Sequence, residues 1–297
     1  MTGLWSVVAA PAGLAVASII GGLIIARRLR PQVSAVLLTI FTVVAAFAML
    51  WGLLIVALAN VVQLHGIAEL FVWCSDLGRT HIGTPTPVGL VAFGLLVGAS
   101  IATFRARRLQ RSVSAPDGSA PFLVLESDEV MAFARPGRPG QIVVSSGMLG
   151  ALDEDEQRVL IAHERAHLRL HHHRYVRAAE LAASAVPLLR PLTVRVRYAT
   201  ERWADEEAAL QIGDRGLVAR AIAHAALATT ASPTIGLGLA DTGTVARVEA
   251  LLNRAPRRAS VAESASMMLV AMALITFVGS VMQVHHWMVY ALGFCSI

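Results

Sequence analysis

Four long stretches without a charged side chain constrain this 297-residue chain more than any other feature. They lie at residues 4–26, within 33–64, at about 87–104 and at about 264–284. A helix needs about 20 apolar residues to cross the hydrocarbon core of a bilayer, and each stretch can supply them. Only 15% of the residues are charged, against about 25% in ordinary soluble proteins. The sequence therefore predicts a multi-pass α-helical membrane protein with four spans.

The arginines predict how the spans are oriented. Three groups of them lie beside the first, third and fourth stretches: Arg27, Arg28 and Arg30; Arg105, Arg107, Arg108 and Arg111; Arg254, Arg257 and Arg258. The loop at 65–86 has only Arg79. Because basic residues collect on the cytoplasmic side, both termini and this loop are expected outside and residues 105–263 inside. Most of the basic residues are thereby placed at the inner face of the membrane, where they can contact lipid. No direct nucleic-acid binding is therefore expected.

Three regions follow from this pattern. Residues 1–104 are predicted to hold three transmembrane helices and the outer loop 65–86. Residues 105–263 form a cytoplasmic domain, and residues 264–297 form the fourth helix with a short outer C-terminus. The chain has no lysine, which excludes Schiff-base and P-loop lysines and is typical of a high-GC bacterial genome, so the membrane is expected to be a bacterial plasma membrane.

The two cysteines, Cys74 and Cys295, are both expected on the outer face beside aromatic residues. They are too few and too far apart in sequence for a thiolate metal site. The outer face permits disulfides, so a Cys74–Cys295 bridge is one expectation. Two unpaired, lipid-facing thiols are the alternative.

The composition of residues 105–263 predicts an α+β domain. A polar linker at 112–121 precedes three short strands at 122–125, 130–134 and 141–145, which are expected to form a small antiparallel sheet. Asp153 and Glu156 have the spacing of a capping box, and the helix that they begin is expected to continue unbroken to His173. Further helices are predicted at 176–189 (on the membrane surface or in the interior), at 193–212, after Asp214 and at 244–253.

The first of these helices carries His163-Glu164-Arg165-Ala166-His167, an H-E-x-x-H pattern. Four residues make about one helical turn, so both imidazoles project from one face and can bind a single zinc ion. Glu164 is placed to take a proton from an activated water. The sequence therefore predicts one zinc ion per chain, with Glu164 as the catalytic base.

A catalytic zinc site needs a third protein ligand, and two candidates compete. On an unbroken helix His173 lies about 9 Å beyond His167, too far to bind the same ion, and His171 to His173 are expected to be solvated or to face lipid headgroups. Glu201 is the better candidate. Asp205 lies one turn after it, where it can hydrogen-bond a ligand histidine and fix its orientation.

The arrangement resembles the BlaR/MecR-type antirepressor membrane metallopeptidases, which have a cytoplasmic gluzincin domain after three spans and one span after it. The matching features are His163-Glu164-x-x-His167, Glu201-x-x-x-Asp205, the strand Met131-Ala-Phe-Ala134 and residues 142–147. The resemblance implies a zinc endopeptidase that is activated by a signal, often with self-cleavage, and that cleaves a cytoplasmic DNA-binding repressor.

This chain departs from that family in one respect. The family's sensor is a penicillin-binding domain after the last span, whereas here about a dozen residues follow it, and without a lysine a penicilloyl-serine sensor is not expected.

A protease of the HtpX quality-control type is one alternative, although that type resembles a topology with two spans between the zinc helix and the distal Glu. A non-catalytic membrane receptor or scaffold is the other.

The predicted strand before the zinc helix suggests how a protein substrate would bind. An extended segment can add a strand to a free sheet edge through main-chain hydrogen bonds. The edge is expected at four residues: Met131, Ala132, Phe133 and Ala134. A substrate bound there would have its scissile carbonyl over the metal.

Overall fold

The computed structural model describes residues 29–61, 86–111, 120–230 and 240–253. The first and fourth predicted spans, the outer loop, most of the linker at 112–121 and both cysteines lie outside these described residues. The elements it describes are mainly helical, with one small sheet.

Two long apolar helices form an antiparallel pair. Helix α1 covers Pro31–Val61 and α2 covers Thr86–Arg111. Residues Pro31–Leu58 and Thr86–Gln110 are long and apolar enough to cross a membrane, by length and composition. They correspond to the second and third predicted spans. Helix α2 continues through residues 104 and 105, so the predicted boundary between membrane region and aqueous domain falls inside a helix.

The sheet has three strands in the order β1-β3-β2, where β1 is Phe122–Leu125, β2 is Ala132–Arg135 and β3 is Gln141–Ser145. Strands β2 and β3 are antiparallel, but β1 and β3 are parallel, so the prediction of an antiparallel sheet was wrong for β1. Strand β3 is buried along its whole length, as the central strand of a covered sheet should be.

The loop between β1 and β2 explains the parallel pairing. Its residue Ser127 accepts a hydrogen bond from the Gly147 N–H (2.9 Å), and the Ser127 N–H donates to Ser146 Oγ (2.9 Å). The loop thus crosses the carboxyl end of β3, and β2 returns along its other side. A Cβ on Gly147 would lie 2.5 Å from the Asp128 carbonyl oxygen, so only glycine permits this close approach.

The remaining helices follow the sheet. They are α3 (Ser146–Ala151), α4 (Glu154–Arg169), α5 (His172–Ala185), a 3₁₀ turn (Pro187–Leu189), α6 (Arg190–Ile212), α7 (Arg215–Thr230) and α8 (Ala240–Leu252). The predicted capping box at the start of α4 is confirmed: Asp153 Oδ1 accepts from the Glu156 N–H (2.8 Å), and the Asp153 N–H donates to Glu156 Oε2 (3.2 Å). Helix α6 ends at Gly213, whose φ of 84° lies in the left-handed region.

The prediction of one unbroken helix to His173 was wrong. Helix α4 ends at Arg169, and His171 takes a left-handed conformation with φ of 55°. The chain therefore turns, and α5 begins in a new direction at His172. A left-handed non-glycine residue is uncommon, and histidine gives no warning of it in the sequence.

Helices α1, α5 and α6 share one buried cluster. Leu38, Ala45 and Ala46 of α1 pack with residues of the other two helices and of the turn between them: Ala179, Ala182, Ala183, Val186, Leu189, Leu192 and Val196. Because α1 contributes directly to this cluster, the predicted metallopeptidase domain is built against the apolar helix.

Candidate metal centre

Helix α4 presents two histidines on one face. Its first-turn acids and capping box stabilise the amino end, and its apolar face buries Val159, Ala162 and Ala166. One turn apart, His163 and His167 bring their Nε2 atoms to 3.1 Å from each other. Both nitrogens therefore converge on one point beside the helix.

Helix α6 supplies the third converging group. Glu201 Oε2 lies 3.5 Å from His163 Nε2, and Glu201 Oε1 lies 3.5 Å from His167 Nε2. One ligand atom from each of the three residues lies within 4.8 Å of the others. The predicted residues are brought together, whereas His173 is not part of the group.

The donor set fits zinc. Around a tetrahedral zinc ion with bonds of 2.0–2.2 Å, neighbouring ligand atoms lie about 3.3–3.6 Å apart, close to the 3.1 and 3.5 Å separations found here. The two imidazole nitrogens and the carboxylate face one another and are three potential zinc ligands. His163, His167 and Glu201 would hold the ion.

Asp205 lies behind His163. Its Oδ1 atom is 3.0 Å from His163 Nδ1, the nitrogen that points away from the other two ligand residues. A carboxylate at this nitrogen fixes the tautomer and orientation of a ligand histidine. Asp205 lies at this nitrogen, and its supporting role stays a prediction.

Arg247 of α8 connects the two acids. Its Nε atom donates to Asp205 Oδ2 (2.8 Å) and its Nη2 atom to Asp205 Oδ1 (2.7 Å). Its Nη1 atom lies 3.2 Å from Glu201 Oε2. Asp205 is almost fully buried, so this two-pronged pair compensates a carboxylate that water hardly reaches.

The electrostatics of the cluster follow from burial and these contacts. Burial opposes the charged form of His163, but the hydrogen bonds that the protonated ring donates to Asp205 and Glu201 outweigh burial and raise the pKa of His163 to about 10. Burial also opposes the ionised form of Glu201, but the contact with His163 outweighs it and holds its pKa well below the usual range. For Asp205, the hydrogen bonds from Arg247 overcome burial and lower the pKa. The carboxylates are therefore ionised, as metal ligands and their supports must be.

His172 is a part of the site that the sequence prediction missed. It was expected to be solvated, but it is only 1% exposed, and its Nδ1 atom lies 3.1 Å from His167 Nδ1. Its ring packs against Trp203 of α6 (centroids 4.8 Å apart). Burial lowers the pKa of His172 to about 3 and of His167 to about 4, so both rings are neutral at ordinary pH. The turn at His171 brings His172 back against His167.

Glu164 lies between the cluster and the sheet. It is 8% exposed, and burial raises its pKa. The nearby backbone N–H of Ala134 in β2 partly opposes that rise. In the described part of the chain, no strand pairs with the outer side of β2.

The predicted edge residues lie on or beside this strand. Ala132, Phe133 and Ala134 belong to β2, and Met131 lies just before it, where its N–H donates to Ser145 Oγ (3.1 Å). Phe133 is 36% exposed and accessible from outside the sheet.

Arg247 and His172 had little signal in the sequence. Arg247 is 42 residues from Asp205 and belongs to a helix that carries no recognisable motif. His172 belongs to a run of three histidines, a pattern that predicts a solvated helix end and not a buried contact. The one-turn spacing between Glu201 and Asp205 was the only sequence signal for residues that support the candidate metal ligands.

Comparison with known proteins agrees with this geometry. Residues 105–230 match the model of Peptidase family M48. M48 peptidases are zinc metalloproteases, so the match implies a metallopeptidase and suggests that it is associated with a membrane. The matched segment includes α4 and α6, which carry the three candidate ligands, but ends before Arg247. No curated protein and no solved structure matches the chain significantly.

Proposed function

We propose that this protein is a zinc-dependent endopeptidase of the bacterial plasma membrane that cleaves a cytoplasmic protein. The observation that carries the proposal is the convergence of His163, His167 and Glu201 next to the buried Glu164. The apolar helices α1 and α2 support a membrane location, and the family match supports the peptidase activity.

In this mechanism each residue has a distinct task. His163, His167 and Glu201 would hold a zinc ion, which would supply a Lewis acid for the scissile carbonyl and the attacking water. Glu164 takes a proton from that water as its oxygen bonds to the carbonyl carbon, and then gives the proton to the departing amine nitrogen. Asp205 and His172 hold the two ligand rings in place. Arg247 contributes to keeping both acids ionised.

The substrate binds along β2 as an added strand. Its main chain pairs with the free outer edge of β2 at Ala132, Phe133 and Ala134, just after Met131, and Glu164 lies beside Ala134 at that edge. Main-chain pairing needs an extended segment, so the substrate is a protein with an unfolded or exposed stretch. The resemblance to BlaR/MecR-type proteins points to a DNA-binding repressor and to a role in signal transduction.

The test compares the purified wild type with Glu164→Gln. The wild type should carry about one zinc per chain, and Glu164→Gln should keep the metal, because the ligands remain, yet lose about 10²–10⁴-fold in cleavage rate. Glu154→Gln is the matched control, since Glu154 is an exposed acid in the first turn of the same helix. Full activity of Glu164→Gln would refute the mechanism.

The identity of the substrate is tested in the native cell. Cytoplasmic proteins that are shortened with the wild type but intact with Glu164→Gln are the substrates. One shortened repressor supports the signalling role, whereas many unrelated or misfolded proteins indicate quality control of the HtpX type. A wild type that binds zinc but cleaves nothing, in the cell or in the tube, indicates a receptor or scaffold.

A further inference from the structure

The hairpin between α5 and α6 has a tip, residues 186–190, that the proposed chemistry does not use. It contains the 3₁₀ turn Pro187–Leu189 and the first residue of α6, Arg190. The position of this tip along the axis of α1, relative to the arginines that follow the apolar part of α2, decides whether the tip can reach the membrane.

The register of α1 and α2 sets the height of those arginines. A Cβ on Gly89 would lie 2.1 Å from Asn60 Cγ, so these two residues are level with each other. Ala92 of α2, three residues after Gly89, packs in one cluster with Ala57 of α1, three residues before Asn60. The two helices therefore run antiparallel. Continuing this antiparallel register brings Arg105 level with about residue 44 of α1.

The register of α1 and α6 sets the height of the tip. Arg202 of α6 lines the same small cavity as Pro31 at the start of α1. Leu189 belongs to the same buried cluster as Ala45. Helix α6 therefore runs antiparallel to α1, and the tip lies beside the middle of α1, level with Arg105.

The apolar length of α2 fixes where the membrane boundary can be. Residues 86–104 span about 28 Å at 1.5 Å per residue, close to the roughly 30 Å thickness of the hydrocarbon core. The exposed residues Arg105, Arg107 and Arg108 follow at once. The cytoplasmic boundary of the core therefore lies at about the level of Arg105, and the tip lies at that boundary.

The surface of the tip has the chemistry of that boundary. Leu188 is 55% exposed, at the same height as the exposed aromatic side chains Phe47 (52%) and Phe104 (68%). Arg190 beside it is exposed as well. Apolar side chains followed by arginines are what an element needs when it dips into acyl chains and binds anionic headgroups.

We propose that the α5–α6 hairpin tip inserts Pro187 and Leu188 into the cytoplasmic leaflet and binds lipid phosphate through Arg190. The inference rests on α1 and α2 crossing the bilayer, as in the function proposed above. Glu201 follows Arg190 by 11 residues of helix α6, about 16 Å. The hairpin thus holds the metal centre close to the membrane surface, where it reaches substrate segments near the membrane.

The experiment uses a fluorescent probe on single cysteines in the full chain, in a Cys74→Ser/Cys295→Ser background. An NBD group on Leu188→Cys is reconstituted in phosphatidylcholine–phosphatidylglycerol vesicles. Quenching by lipids spin-labelled at a shallow or deep acyl position is compared with quenching by aqueous iodide. We expect loss of fluorescence with the shallow spin label and protection from iodide. Pro187→Cys gives a second attachment point should Leu188→Cys fail to fold.

Two control positions separate the outcomes. Phe93→Cys in the middle of α2 (58% exposed) should be quenched by the deep label, and Leu210→Cys near the end of α6 (76% exposed) by iodide alone. A tip probe that behaves like the one at Leu210, or that no quencher reaches, overturns the proposed insertion while α2 remains a span. If the Phe93 probe is not quenched by either lipid label, the membrane location itself fails.

Discussion

Arg247 and Asp205 form the most consequential pair at the scale of single residues. Asp205 is a buried carboxylate, and it contacts Arg247 on one side and His163 on the other. Removing one member of a buried pair costs about 3–5 kcal/mol, because the remaining charge is left uncompensated. Arg247 is therefore expected to be a positioning residue, which would influence a bound metal through Asp205 and Glu201.

Arg247→Ala should weaken zinc binding and lower the thermal stability of the protein. Arg247→Lys should recover only part of both losses, since lysine keeps the charge but cannot form the two-pronged contact. Zinc affinity measured by chelator competition, together with the melting temperature, checks this. Arg158→Ala is the control, because Arg158 pairs with the exposed Asp155 of its own helix turn, and its loss should leave both quantities unchanged. Unchanged zinc affinity in Arg247→Ala would contradict the positioning role.

At the scale of the elements, local sequence signals predicted the start of α4 but not its end. The capping box is formed by Asp153 and Glu156 alone and needs no tertiary contact, so the start of α4 could be predicted from the local sequence. The turn at His171 is held instead by the packing of His172 against Trp203, which comes from a helix further along the chain. The parallel pairing of β1 was missed for the same reason, since the loop that enforces it is fixed by Gly147, beyond the next two strands.

The same distinction applies to the candidate site. His163, His167, Glu201 and Asp205 could be predicted because helical spacing of four residues places side chains on one face whatever the rest of the fold does. The contribution of Arg247 depends on where α8 docks, and no local pattern encodes that.

Asp153→Ala should destabilise α4 by about 1 kcal/mol, because the Glu156 N–H loses its side-chain acceptor. Asp155→Ala is a matched control, as it removes an acid from the same turn but leaves the capping box intact. The melting temperature of the detergent-solubilised protein should fall more for Asp153→Ala than for Asp155→Ala. Equal effects of the two variants would mean that the negative charge of the first turn, and not the cap, stabilises the helix.

At the scale of the whole molecule, the predicted orientation requires the metal centre and the turn between β2 and β3 to face the cytoplasm. Arg138 is exposed in that turn and can be replaced by cysteine without touching the site. In a background without Cys74 and Cys295, a membrane-impermeant maleimide should label Arg138→Cys only after the cells are permeabilised. Labelling in intact spheroplasts would reverse the orientation and would exclude a cytoplasmic substrate.

The two cysteines test the outer side of the same topology. Cys74 is predicted in the outer loop and Cys295 after the fourth span, so a bridge would tie residues separated by more than two hundred positions. In the chain-entropy model, closing so long a loop stabilises the folded state by on the order of 5 kcal/mol, provided that the Cα atoms approach within about 7 Å. Mass spectrometry of the non-reduced protein should therefore detect a Cys74–Cys295 peptide pair, and reduction should increase proteolysis of residues 65–86. Alkylation of both thiols without prior reduction would instead identify two separate lipid-facing cysteines, with the termini and the loop still outside.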